Sequence, residues 1–537
     1  MVKECEILNL PFFSFCEPTL RGIFLSTCLF LIRIRWCHSL KNFCYIYNEV
    51  MNMVSFTYGT TTGWLAPIQP LLQANYTGTN ETSPLGKGAP GLTSEDISWL
   101  GGYYCIAGII ATPLYGFLAK TIGRKMTALL AGVPFIITYV LILLATNPAM
   151  LFVGRFFAGL GAGGVSVISP MYIGETAEIN NRGVLGSYFN LFICVGILSS
   201  YIVGSYTSYL ILGLYCLFFP ILFVLMWFWL PETPIYSLIR NRTDDALNAL
   251  FKLRGNHREL IEAELSELTS SLKQRNSEQK KVSLMAMLSE PETRKGFIIG
   301  GTLMTIQQMS GVSPILNYSV VIFQASGSDI SPHLAAITVG ALQIFGAVAA
   351  TLTMERVGRK LLLMISSIGM AISLGLIAIF FYLKTIDYDP EFMKAIGWLP
   401  VTSMATYVIV YGLGFGPVPF VLVGEIFKTE ARSAATSFST FMLWFEAFLL
   451  LKFYGNLSDA FGTEACFGLF AICSALGAVF TYFYVPETKG KSLETILWML
   501  GGEKPNSYSD EGSPIPLVNL NDKNHIDHQK DDVIEKL

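Results

Sequence analysis

Twice in this chain, 250 residues apart, a glutamate closes an apolar run and an arginine follows seven residues later. The first copy, from Pro170 to Ser187, reads P-M-Y-I-G-E-T-A-E-I-N-N-R-G-V-L-G-S and holds Glu175 and Arg182. The second, V-L-V-G-E-I-F-K-T-E-A-R-S-A-A-T-S, holds Glu425 and Arg432. I-G-R-K at Ile122–Lys125 returns as V-G-R-K at Val357–Lys360, 235 residues later, and L-P-E-T-P from Leu230 returns as V-P-E-T-K from Val485, 255 later. Three echoes in the same order mean that one half of the chain repeats the other. A repeat this long is a duplicated bundle and not a solenoid.

Composition decides where the two halves reside. Only 14% of the 537 residues are charged, 52% are hydrophobic and the mean hydropathy is +0.50. A soluble domain carries about 25% charged residues. About twelve apolar runs reach the roughly 20 residues that cross a bilayer. The expected fold is an all-α membrane protein with twelve transmembrane helices in two six-helix halves and cytoplasmic helices between them. The net charge of −3 argues against a nucleic-acid partner. The ten cysteines lack C-x-x-C spacing and read as small buried apolar residues. The five histidines show no metal-ligand spacing, so neither metal nor cofactor is implied. With no nucleophile–base pair or phosphate loop, the pattern argues against an enzyme.

Residues 1–42 form an N-terminal extension to which no function is assigned; its apolar run, Gly22 to Ile34, is too short to span comfortably. The N-terminal bundle is placed at 43–230, with spans near 43–70, 97–119, 126–146, 149–171, 184–205 and 208–230. A polar linker at 231–295 has apolar residues at helical spacing. The C-terminal bundle at 296–485 has spans near 296–323, 333–354, 361–383, 397–424, 434–452 and 464–485. The tail, 486–537, turns polar after Leu500 and reads as disordered. Basic residues gather in the even connections: Lys120, Arg124 and Lys125, then Arg182, then Arg356, Arg359 and Lys360, then Lys428 and Arg432. By the positive-inside rule these loops and both termini are cytoplasmic. The sequons at Asn75 and Asn80 then fall outside, as expected for glycosylation sites.

The ordered set of motifs is specific. G-R-K twice, V-G-R-F-F-A-G-L-G-A-G, the Pro170 stretch, P-E-T-P, Q-Q-M-S-G, G-P-V-P-F and P-E-T-K-G-K-S-L-E resemble the sugar porters of the major facilitator superfamily. Within them the chain looks most like the insect facilitated trehalose transporters and the facilitative glucose transporters. The resemblance covers about Phe56 to Glu494 and implies transport of a small sugar through the bilayer, by a plasma-membrane protein of unassigned oligomeric state. It also implies that G-L-G-F-G-P-V-P-F, Gly412 to Phe420, is a moving gate. The chain departs from the family at Lys120, Ile235, Ser313, Asn190, Phe420 and Leu443, which leaves the choice of sugar open.

Two groups of residues are candidates for function. Acid–base pairs at cytoplasmic helix ends can bind in one conformation and part in another, a bistable latch. Glu175, Arg182, Glu425 and Arg432 fit that role, with Arg124, Glu232, Glu355, Arg359 and Glu487. Ordinary interfacial charge is the competing reading, and the duplication counts against it. Gln307 lies roughly 17 Å along the seventh span, near mid-membrane. Two adjacent amides there, Gln307 and Gln308, are costly unless they face a wet cavity, and an amide both donates and accepts, which suits a hydroxyl-rich ligand. Ser313, Asn317, Asn190 and Gln343 add polar contacts, and Phe420 and Trp444 offer apolar faces to a sugar ring. Helix–helix bonding is the alternative for either glutamine alone. Arg155, near the outer end of the fourth span, is read as snorkelling or pairing across the outer gate, and Gly159, Gly161, Gly163 and Gly164 as close helix packing.

Glu446 stands near the centre of the eleventh span and is expected to stay neutral unless paired. Three readings stay open for it: a polar contact in the sugar cavity, a proton-coupling acid, or a residue at an interface. The leading function is facilitated diffusion of a sugar, trehalose or a hexose, by alternating access. A proton-coupled symporter is the alternative, weakened because Thr57 stands where symporters of the family carry an Asp. A sugar sensor that does not transport is the third reading.

Overall fold

The computed structural model describes residues 43–73, 82–83, 86–87, 91–177, 182–255, 258–278, 289–326, 331–491 and 493–501. The N-terminal extension, Asn75, Asn80 and most of the tail lie outside the described residues. The N-terminal half comprises α1 (Phe43–Gly63), α2 (Leu65–Gln73), α3 (Ser94–Thr121), α4 (Arg124–Leu143), α5 (Pro148–Thr176), α6 (Arg182–Tyr206) and α7 (Tyr209–Met226). A 3₁₀ turn at Trp227–Trp229 leads to the linker helices α8 (Pro234–Ile239), α9 (Thr243–Arg254) and α10 (Arg258–Glu278). The C-terminal half comprises α11 (Pro291–Met309), α12 (Val312–Ser326), α13 (Pro332–Val357), α14 (Arg359–Thr385), α15 (Pro390–Ala395), α16 (Leu399–Leu413), α17 (Val418–Glu425), α18 (Thr429–Phe461) and α19 (Thr463–Tyr484). A short α20 (Leu493–Met499) follows.

Local chemistry starts the helices sharply at the end away from the basic loops. Thr93 and Asp96 form a reciprocal capping box on α3. Asn147, Ser208 and Ser331 each accept a backbone N–H at the head of α5, α7 and α13, with Pro148 and Pro332 in the first turn of α5 and α13. Along the spans apolar side chains point outward as well as inward; Phe345, Leu352 and Ile372 are each 60% or more exposed. A helix apolar on every side belongs in lipid.

Ten helices among the described residues are long and apolar enough to cross a membrane. The first and seventh spans, whose longest helices are α1 at 21 residues and α11 at 19, are long enough and fall short on apolarity, because polar residues are spread along both. The expected single helices near 43–70 and 296–323 are in fact α1 with α2 and α11 with α12, broken at Trp64 and at Ser310–Gly311. Gly311 takes a φ of +82°, which ends α11 and redirects the chain. Both interrupted spans are rich in hydroxyls and amides, from Asn48 to Thr62 and from Thr302 to Ser313. They occupy equivalent places in the repeat, and broken helices in paired positions mark the binding region of such bundles. The tenth span also breaks, between α16 and α17, where Gly414 and Pro417 interrupt it. The eleventh is longer than its apolar run, since its polar ends continue the same helix to Thr429 and Phe461.

Within the N-terminal half α3 packs on α5, α4 on α5 and α1 on α6; within the other, α14 packs on α19 and on α16. The α3–α5 approach is so close that a Cβ at Gly159 would fall 1.9 Å from the carbonyl oxygen of Tyr104. The halves meet along α3 with α18, α6 with α13, and α2 with α12. The first two pairings exchange when the halves are exchanged, as a duplicated chain with a pseudo-two-fold axis requires.

Candidate functional site

The three repeated motifs converge on one constellation, built twice. In the N-terminal half, Arg124 donates from Nε and Nη2 to Glu175 Oε1 at 3.1 and 2.7 Å. Glu232 accepts the backbone N–H groups of Arg124 and Lys125 at 3.0 and 3.2 Å, so it caps α4. Thr233 donates to the other oxygen of Glu175 at 2.6 Å. In the C-terminal half Arg359 donates to Glu425 at 2.9 Å, Glu487 accepts the N–H groups of Arg359 and Lys360 at 3.0 and 3.1 Å, and Thr488 donates to Glu425 at 2.6 Å. The glycine of each G-R-K explains the motif. Gly123 and Gly358 have φ of +97° and +99°, and a Cβ there would come within 2.3 and 2.6 Å of Glu232 and Glu487. Burial pushes the Glu232 carboxyl above the ordinary carboxylate range, while the N–H donors of Thr233, Lys125 and Arg124 and the Arg124 charge pull it back.

Of the nine residues expected in the latch, six thus come together in two groups of three. The side chains of Arg182 and Glu355 lie outside the described residues. Arg432 is exposed and, among the described residues, donates a long bond, 3.4 Å, to the Phe427 carbonyl. Among the described residues the ion pair of each cluster stays within its own half. Thr233 and Thr488 were missed in the sequence, although P-E-T stands in both copies.

Near mid-membrane, Gln307 and Gln308 are both buried. The Gln307 Nε2 donates to the carbonyls of Phe415 and Gly416 at 2.8 and 3.1 Å and to Tyr411 at 3.3 Å. It therefore satisfies carbonyls freed where α16 gives way to α17, which is the work of helix–helix bonding. Its Oε1 is buried and has no partner. Gln308 accepts from Ser313 at 2.8 Å, and Asn317 donates to the Ser313 carbonyl at 2.9 Å. Asn317 Oδ1, Gln343 Oε1 and Trp444 Nε1 are likewise buried without a partner. Buried polar atoms are almost always bonded, so this group of orphans asks for a polar guest. Trp444 stacks near Tyr58 and meets Tyr104 edge-on, an aromatic wall drawn from both halves. Asn190 is half-buried on α6, and Phe420 is 42% exposed on α17.

Glu446 is turned about 200° around α18 from Trp444, by helical geometry. It accepts from Thr305 of α11 at 2.5 Å, and its Oε2 is buried and unpartnered. Lys452, one to two turns on, does not reach it. Lys452 crosses instead to the other half, where it donates to Ser98 at 3.1 Å, pairs with Glu95 at 3.5 Å and lies 4.4 Å over Trp99. Tyr201 donates to the Leu316 carbonyl and Ser205 bonds His333, also across the halves. These contacts close the bundle at the end away from the G-R-K motifs. Arg155 is buried, donates to the carbonyls of Leu100 and Thr61 and stacks over Tyr104 at 4.5 Å, so it ties the N-terminal half together. Asn52, fully buried on α1 with both ends of its amide unpartnered, had no sequence signal beyond being an amide in an apolar run. Among the described residues no cluster of metal-ligating side chains occurs.

Residues 48–500 match the sugar (and other) transporter family. The facilitated trehalose transporter Tret1 of Culex quinquefasciatus is 37% identical over 75% of this chain and 77% of that protein. Tret1 of Bombyx mori is 36% identical over 75% of this chain and 79% of that protein. Tret1 of Aedes aegypti is 37% identical, but the match spans only 50% of its length. Among solved structures, the inward open conformation of the xylose transporter XylE from E. coli superimposes with a TM-score of 0.69 at 22% identity, over 85% of this chain and 99% of that one. That likeness shows that the two chains share one helical fold.

Proposed function

The chain belongs to the sugar (and other) transporter family, and from that premise we propose that it carries a sugar, trehalose or a hexose, down its gradient by alternating access. The observation that carries this reading is the set of buried, unpartnered polar atoms on Gln307, Asn317, Gln343 and Trp444 beside an aromatic wall. A sugar has hydroxyls that donate and accept, and apolar ring faces that suit Trp444. Gln308, Ser313, Asn190 and Phe420 complete the proposed site. The rocking bodies are the bundles at 43–230 and 296–485, joined by the linker at 231–295. In the described conformation the outer end is held shut by Lys452, Tyr201 and Ser205, while the clusters of Arg124–Glu175–Glu232 and Arg359–Glu425–Glu487 each rigidify one half. In the outward-open state these clusters, with Arg182, Glu355 and Arg432, meet across the inner end as the latch. We place the protein in the plasma membrane with cytoplasmic termini and with Asn75 and Asn80 glycosylated outside.

Uptake of labelled trehalose, glucose and other mono- and disaccharides into proteoliposomes tests the reading. Equilibration of at least one sugar without accumulation is the expected result; a flat panel would refute it. A second reading, proton coupling, rests on the unpartnered Oε2 of Glu446. An inward proton gradient that drives accumulation, lost in Glu446→Gln, would establish it in place of facilitation.

A further inference from the structure

Beneath the N-terminal half a cleft of about 790 Å³ opens between the head of α4, the end of the 3₁₀ turn and the linker helices α8 and α9. Three cations line it, Lys125 from α4 and Arg242 and Lys252 at the two ends of α9. Lys125 comes from α4 and the other two from α9, and the Lys252 charge repels that of Lys125 while Glu232 attracts it. Among the described residues none of the three forms an ion pair. Two acids also line the cleft: Glu232, whose oxygens accept backbone N–H groups of α4 and Thr233, and Asp245 in the first turn of α9. Three positive charges therefore face two negative ones, which leaves the lining net positive. Tyr236 and Asn248 add hydrogen-bonding groups to the wall.

The cleft sits where the chain leaves the membrane. Trp227 bonds the Lys125 carbonyl at 2.8 Å, and the neighbouring Phe228 and Trp229 are 70% and 68% exposed. Exposed aromatics at a helix end mark the headgroup level of the bilayer. Basic pockets at that level on the cytoplasmic side recognise phosphorylated headgroups. We propose that this cleft binds a phosphate ester, a multiply phosphorylated headgroup or its soluble counterpart, clamped between Lys125 above and Arg242 and Lys252 below. Arg supplies a bidentate fork for phosphate and the two lysines supply point charge. The occupant would tie the linker to the N-terminal half, next to the Arg124–Glu175 pair.

The test uses the full-length protein in neutral detergent and tritiated dioctanoyl phosphatidylinositol bisphosphate, read by scintillation proximity. Saturable binding is expected, weakened at least tenfold in Arg242→Gln/Lys252→Gln and tightened in Asp245→Asn. Arg258→Gln/Lys273→Gln removes two exposed linker cations outside the cleft and should leave binding unchanged. Competition by inositol trisphosphate at equal concentration assigns the site to a soluble ester; failure of that competitor assigns it to the lipid. Should the double variant fold poorly by size-exclusion profile, Lys252→Gln alone carries the test, with a smaller loss expected. No saturable binding of either probe, or equal weakening by the control pair, overturns the proposal.

Discussion

Lys452→Met should shift the protein toward its outward-open state. Methionine keeps the apolar stem of lysine while removing the charge that crosses between halves. Three contacts disappear: the 3.1 Å bond to Ser98, the 3.5 Å pair with Glu95 and the 4.4 Å approach to the Trp99 ring. A hydrogen bond from a charged donor contributes about 1.5–3 kcal/mol. The Glu95 carboxylate is 71% exposed, so its pair adds only about 0–1 kcal/mol. A cation over an aromatic face adds about 0.5–2 kcal/mol. Against these stands the relief of no longer burying an ammonium that is only 6% exposed. The balance favours a net loss of about 1–2 kcal/mol from the outward-closed state, a population shift of about 5–30-fold. The assay is thiol labelling from the outside at Cys105, which is buried on α3 in the described conformation. Faster labelling of Cys105 is expected in Lys452→Met, with Ser98→Ala giving a smaller increase in the same direction. Unchanged labelling in both variants, or slower labelling, would refute the idea that these contacts hold the outer end shut.

Gln307→Ala should lower sugar binding by roughly tenfold and also loosen the α16–α17 break, because it frees the Phe415 and Gly416 carbonyls as well as removing the orphaned oxygen. Comparing sugar binding with melting temperature in this variant separates the two effects. Gly358→Ala should destabilise the C-terminal half by about 1–3 kcal/mol, since it strains a positive φ and drives a Cβ toward Glu487; thermal unfolding in detergent reads the loss. Arg359→Lys should slow net transport while leaving equilibrium sugar binding near wild type, which a comparison of initial uptake rate with ligand depletion would check. Glu232 binds its proton more tightly in the folded protein, so it contributes stability below its ordinary range that is lost as pH rises through the raised value. Glu232→Gln should therefore flatten the fall in melting temperature from about pH 4.5 upward; an unchanged slope would count against that linkage.

The amino-acid sequence by itself determined the number of spans, the duplication, the end of the bundle that carries charge and the position of the polar stretch on the seventh span. Those are properties of hydropathy, spacing and repeats, which the bilayer reads segment by segment. Only the tertiary structure decided partners. Glu175 and Arg182 stand seven residues apart, yet the bond of Glu175 goes to Arg124, 51 residues away, because the left-handed Gly123 turns the head of α4 toward the end of α5. Glu446 and Lys452 share a helix, yet one bonds Thr305 on α11 and the other crosses to α3. The breaks at Trp64 and Gly311 were hidden for the same reason. Periodicity registers an apolar run, while a helix in a bundle ends where its polar groups find partners on other helices, and that depends on how the two halves lie against each other.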